Sequence, residues 1–101
     1  MKLQMHSVHF TADQSLLDFI QKKANKLDTF FDRIQDGEVF LRIEKGSHSR
    51  ENKVIEIKLN IPGTTLFSKE LSTSFEAATD AAVESLRRQL KKHKEKIIAK
   101  H

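Results

Sequence analysis

The sequence has no cysteine, no tryptophan and no tyrosine, and only one proline and three glycines among 101 residues. Without cysteine, a disulfide framework, a thiolate zinc site, an iron-sulfur cluster and a thiol nucleophile are excluded, and a reducing compartment suits the chain. Scarce proline and glycine, with no repeat and no low-complexity stretch, leave no candidate for an interdomain linker. Residues 1–101 therefore read as one domain, large enough for a modest core and too small for a deep interdomain cleft. No run approaches the ~20 apolar residues that span a bilayer, and the opening residues lack the apolar stretch of a signal peptide. A cytoplasmic protein is expected.

What the chain does carry is charge. Eighteen Lys plus Arg stand against 14 Asp plus Glu, a net of +4. The sum conceals an asymmetry: residues 87–101 hold seven cations and one acid, a local +6, and residues 1–86 come to −2. The basic character is concentrated at one end.

Hydropathy phase gives the elements. Lys2 to His6 alternates and then loses phase before Val8 and Phe10, as a short strand ending in a bulge or turn does. Thr11-Ala12-Asp13-Gln14 is a capping-box pattern. It opens a helix whose apolar stripe is Leu16, Ile20, Ala24, Leu27 and Phe31, and Gln35-Asp36-Gly37 marks a turn beyond it. Glu38–Lys45 and Lys53–Ile61 alternate as half-buried strands joined by a polar hairpin loop. Pro62-Gly63 is a turn, and Thr65–Leu71 is a weaker strand in which Leu66 and Phe67 compete for the core. Thr73-Ser74-Phe75-Glu76, a second capping-box pattern, opens a helix from about residue 74 to about residue 98, ~36 Å long. A domain of this size has a radius of gyration near ~13 Å, so the last turns reach the rim or pass it. The order predicts an α+β two-layer β-α-β-β-β-α sandwich, with a four-stranded sheet and two helices on one face.

On the last helix Phe75, Ala78, Ala82, Leu86, Leu90 and Ile97 form the apolar stripe. With Phe75 at 0° and 100° per residue, Arg87, Arg88, Lys91 and Lys94 fall at roughly 100–220° and Lys92 near about 260°, away from that stripe. Cations are also favoured at any helix C-terminus by the dipole, which explains part of the pattern. Seven cations with one acid in this stretch exceed that requirement and leave two readings level: a solvated face, or a surface for a polyanion bound steeply in salt and weakly in sequence. A membrane-surface helix fits less well, because the stripe is needed for the core and carries no large aromatic beyond Phe75. His93 falls within the stripe, as a histidine packed at the core edge.

No constellation for chemistry emerges. His6-x-x-His9 and isolated histidines at 48, 93 and 101 include no helical pair with metal-ligand spacing, so neither metal nor cofactor is expected. Ser47-His48-Ser49 lies in a charged loop without a nucleophile elbow or oxyanion-hole pattern. Asp28, Asp32 and Asp36 are polar-face residues around a helix end. No glycine-rich phosphate loop exists. Of the seven Phe, only Phe40, and Phe67 in one of the two parities open to its strand, have solvent-side parity, so RNA recognition by backbone charge and shape is favoured over base stacking on the sheet.

At Lys26-Leu27-Asp28-Thr29-Phe30-Phe31-Asp32-Arg33-Ile34, at Glu44-Lys45 with His48, at Glu76-Ala77-Ala78-Thr79-Asp80 and at Leu86-Arg87-Arg88-Gln89-Leu90-Lys91-Lys92-His93-Lys94, the chain resembles the ribosome hibernation promoting factor family, from about residue 2 to 97. The resemblance implies a fold similar to double-stranded-RNA-binding domains and a non-enzymatic bacterial protein that binds the small ribosomal subunit in the channel for messenger and transfer RNA. It implies inhibition of translation during slow growth or stationary phase. Lys23, Lys26 and Arg33 around the first helix, Lys45 after the second strand, and Arg88, Lys92, Lys94 and Lys96 on the last helix match the family positions that meet 16S ribosomal RNA phosphates. Arg87 and Lys91 join them on helix geometry alone. The resemblance implies neither a DNA nor a membrane partner. The chain looks like the family's short form, without a dimerisation domain; ribosome dimers then require a separate modulation factor. The alternative from another class is a general double-stranded-RNA-binding module acting off the ribosome.

Overall fold

The computed structural model describes residues 1–44 and 50–99. In chain order it has β1 (Lys2–Ser7), α1 (Gln14–Phe30), β2 (Asp36–Ile43), β3 (Lys53–Ile61), β4 (Thr64–Ser72) and α2 (Phe75–Ala99). The sheet order is β1-β2-β3-β4, with β1 and β2 parallel across the α1 crossover and the other neighbours antiparallel. This is the expected β-α-β-β-β-α sandwich.

Side-chain parity assigns the two sheet faces. Register aligns Met5, Val39, Ile57 and Ser68 in one row and Leu3, Gly37, Leu59 and Leu66 in the next. These rows form the inner face, where Val39, Leu41, Ile55, Ile57 and Leu59 are fully buried. Ile20, Ala24 and Leu27 of α1 and Phe75, Ala78, Ala82, Leu86 and Leu90 of α2 join them in one core cluster. Each Leu or Ile so buried contributes roughly 1.5–3 kcal/mol. Alanines at 78 and 82 let α2 approach the sheet closely, and the buried Thr79 hydroxyl donates to the Phe75 carbonyl at 2.7 Å, so no polar atom is left wanting there. The Leu66–Phe67 competition resolves by parity: Leu66 packs on the core and Phe67 stands 51 % exposed on the outer face.

Three local expectations shift. The N-cap of α1 is Asp13 rather than Thr11, its carbonyl accepting from Leu16 and Leu17 at 3.1 Å without a side-chain cap. Phe10 and Ala12 are drawn against the core, and His9 takes φ 64°, so the chain turns before a helix can start. The α2 cap is Ser74, whose Oγ accepts from the Ala77 N–H at 3.0 Å.

Gly37 lies inside β2 rather than in a turn. A Cβ there would stand 2.6 Å from the Lys58 carbonyl oxygen, so the strand needs glycine for close approach of its neighbour. At Pro62-Gly63 the turn is as read, with Gly63 at φ 84°, where glycine belongs in a two-residue connection opened by proline.

Leu90 is the last buried residue along α2 up to Ile97, and Ile97 is 40 % exposed. The end of α2 thus extends past the core it helps to form, along a molecule measuring 49 × 26 × 18 Å.

Candidate nucleic-acid interface

The apolar stripe that seats α2 on the sheet turns its cations outward, and α1 lies beside it in the same helical layer. Lys23 on α1 pairs with Asp80 near the start of α2 at 3.3 Å, and the Lys94 amine donates to the Phe30 carbonyl at 3.1 Å at the far end. The two helices therefore run in the same sense, and their exposed surfaces form one outer layer.

The expected residues divide between two flanks of α2. Lys94 faces α1, as Lys23 faces α2, and Arg33 just past α1 lines the same recess as Lys94; at 100° per residue Arg87 and Lys91 fall on the same side of α2 as Lys94, and Lys26 on the same side of α1 as Lys23. Arg88, Lys92 and Lys96 recur every fourth residue along the other flank. There Lys92 and Lys96 line an open recess of about 370 Å³ with Thr64, Leu66, Gln89 and His93, and Gln89 donates to the Phe67 carbonyl at 2.9 Å. Lys45 lies outside the described residues, as do Ser47-His48-Ser49 and His101.

These cations are not equivalent. Arg87 donates through Nε and Nη2 to Glu84 at 3.1 and 2.7 Å, and Arg88 stands 3.8 Å from the same carboxylate. The hydrogen bond from Arg87 is the main reason that the Glu84 carboxyl lies below its ordinary range, and the same bond raises Arg87. Lys23 is shared between Asp80 and the Phe19 ring, 5.5 Å away. Among the described residues the side chains of Lys26, Arg33, Lys91, Lys92 and Lys96 make no ion pair or hydrogen bond. Lys94, placed by the helical wheel on the solvated face, is instead half-buried against Phe30, its amine 4.6 Å from the ring centroid.

The sequence reading missed Glu84, although its spacing of three and four residues before Arg87 and Arg88 is the signal that could have found it. The Phe30 contact is non-local and had no such signal. His93 meets the edge of Phe31 with ring centroids 5.8 Å apart, as a core-edge histidine should.

The outer sheet face is a second polar surface. His6 stacks on Phe40 at 4.7 Å and approaches Glu38 at 3.1 Å, and Arg42 donates to Glu56. That hydrogen bond chiefly lowers the Glu56 carboxyl and raises Arg42. One face of Phe40 is thus covered by His6, which leaves Phe67 as the open aromatic of this surface. Among the described residues no group of three or more potential metal ligands converges, and no helix is long and apolar enough to cross a membrane.

A two-layer α+β domain with a cationic helical layer and a polar outer sheet face is the class these features define. The chain belongs to the family described as "Sigma 54 modulation protein / S30EA ribosomal protein", whose model matches residues 3–98. It is 32 % identical over 96 residues to a protein of Pseudomonas putida named "Ribosome hibernation promoting factor", covering 95 % of this chain and 89 % of that one. A protein of the same name from Escherichia coli is 30 % identical over 97 residues, covering 96 % and 97 % respectively. Among solved structures, a ribosomal subunit interface protein from Coxiella burnetii superposes with a TM-score of 0.82 at 21 % identity, covering 94 % of this chain and 99 % of that one, a likeness of fold.

Proposed function

We propose that the protein is a translation-silencing factor of the ribosome, lodged on the small subunit with its helical layer against 16S ribosomal RNA in the channel that messenger and transfer RNA otherwise occupy. It inhibits by occlusion during slow growth or stationary phase and performs no chemistry of its own. One observation carries the reading: five cations whose side chains have no ion-pair or hydrogen-bond partner among the described residues, Lys26, Arg33, Lys91, Lys92 and Lys96, share the helical layer of a chain related over nearly its whole length to proteins named for ribosome hibernation.

The physics follows from the phosphates. A protein that neutralises several of them releases condensed counterions, so its affinity falls steeply with salt. The paired cations Arg87, Arg88 and Lys23 exchange a solvent-exposed carboxylate for a phosphate at little cost, because exposed ion pairs contribute little to stability.

Sedimentation through sucrose gradients tests this reading. The protein is expected to travel with small subunits at low salt and to leave them as salt rises. Absence from the small-subunit fraction at low salt would overturn it, and equal affinity for any naked RNA duplex would favour a general duplex-binding module instead.

A further inference from the structure

Where α1 ends, the helical layer holds an open recess of about 390 Å³, with Phe30, Phe31 and Ile97 as apolar wall and Arg33 and Lys94 as cations. Two phenyl rings and a carboxylate distinguish its lining from that of the Lys92–Lys96 recess. A purely electrostatic phosphate contact needs no apolar wall, yet here a half-buried ring and an isoleucine that is 40 % exposed stand beside two cations. Asp32 on the same rim repels a bare anion and can accept a hydrogen bond from an exocyclic amine. The combination suits a ligand with a flat, uncharged, amine-bearing part and an anionic part a few ångströms away.

We infer that this recess receives one unstacked nucleobase of the bound RNA, with that nucleotide's phosphate on Lys94 and Arg33. The inference rests on the RNA-binding reading above and sharpens it from charge alone to charge plus one stacked base.

Lys94 supplies the coupling. In the free protein its amine caps the Phe30 ring at 4.6 Å and donates to the Phe30 carbonyl at 3.1 Å. An arriving phosphate is a stronger partner for an ammonium than a ring face and a neutral carbonyl. It draws the amine outward, which uncovers the ring for the base. Aromatic stacking tolerates every base, because each has a π face. The recess therefore adds affinity for single-stranded or bulged RNA without adding a sequence code.

The test titrates the full chain with adenosine monophosphate and, separately, with inorganic phosphate, following the Ile97 methyl and Phe30 ring signals by NMR. The nucleotide is expected to shift both by ring currents and to bind at least about fivefold more tightly than phosphate, equivalent to about 1 kcal/mol or more of stacking. Phe30→Leu, checked for folding by the dispersion of the same spectrum, should lose that advantage and keep the phosphate response. Equal affinities, or nucleotide-induced shifts confined to the sheet face around Phe67, would overturn the inference. Small-subunit sedimentation of the wild type separates the two readings: binding there with no ring-current shift removes the base recess alone, and ring-current shifts without sedimentation remove the ribosomal reading alone.

Discussion

Lys94 reaches from the end of α2 to the end of α1 and rests on Phe30, amine to carbonyl oxygen at 3.1 Å and amine to ring centroid at 4.6 Å. Sixty-four residues separate the two in sequence. The contact lies beyond Leu90, the last buried position of α2 up to Ile97, so it clasps the two helices where the core no longer does. An exposed cation–π contact is worth about 0.5–1 kcal/mol, and the hydrogen bond adds a similar amount.

Replacing Lys94 by Met keeps the apolar stem and removes the ammonium. We expect a loss of about 1 kcal/mol, which lowers Tm by roughly 4–8 °C for a domain of this size. Calorimetry decides, and an unchanged Tm would mean that the amine does not hold the helices together.

Gly37 is a position where a single added methyl group meets the backbone of the neighbouring strand. In Gly37→Ala the new Cβ meets the Lys58 carbonyl oxygen at 2.6 Å, with Leu3 and Leu59 side-chain carbons at 2.8 and 2.9 Å. The nearest of these is backbone of the adjacent strand and cannot swing aside. Overpacking of this kind costs about 1–3 kcal/mol, or roughly 5–20 °C in Tm. A Gly37→Ala variant that melts with the wild type would show that β2 and β3 can separate locally without penalty.

How far these features were legible depends on the range of the interaction that decides them. The alternation through Lys53–Ile61 and the long stripe of α2 are carried by periodicity, and both elements stand where the sequence placed them, within a residue. Gly37 looked like a turn because glycine after Gln35-Asp36 is a local turn signal; its actual constraint is a carbonyl 21 residues away in sequence, at Lys58. Thr11 looked like a helix cap because its box pattern is local, whereas the start of α1 is set by the burial of Phe10 and Ala12 against the core. In the basic layer, the wheel angles kept Arg87, Arg88, Lys91 and Lys92 on the exposed surface, but Ile97 of the stripe is 40 % exposed and Lys94 is half-buried. The angles could not show that Lys94 folds back on Phe30, since that partner belongs to another helix.

Acid should weaken the outer sheet face at Glu56. Its carboxyl is held below the usual range chiefly by the hydrogen bond from Arg42, with Lys69 a further 3.9 Å contact. A carboxyl whose folded pKa is depressed contributes stability that is complete above its unfolded value, roughly 4, and is lost as pH falls through the folded value. Arg42 stays charged throughout this window. Glu56→Gln is therefore expected to cost about 1–2 kcal/mol at neutral pH, the range for a hydrogen bond to a charged group that is partly open to solvent. The gap from wild type should close as pH drops below about 4. Urea unfolding at several pH values measures it, and a gap that stays constant down to acid pH would assign the stabilisation to packing instead of charge.

Glu84 provides the sharpest electrostatic test, because it is the acid that occupies Arg87 and Arg88 at 2.7 and 3.8 Å. It lies on the exposed surface of α2, so Glu84→Gln should change thermal stability little while freeing two cations. If the helical layer binds RNA through phosphates, the variant should hold small subunits more tightly at low salt, and its affinity should fall more steeply as salt rises. Lys91→Ala and Lys92→Ala remove cations that have no internal partner among the described residues. Each should weaken binding and reduce the slope of log affinity against log salt by about 1 if that side chain meets one phosphate. The two classes of variant must move in opposite directions. Shared direction, or an unchanged slope in both lysine variants, would remove the α2 cations from the contact surface and shift attention to α1 and the outer sheet face.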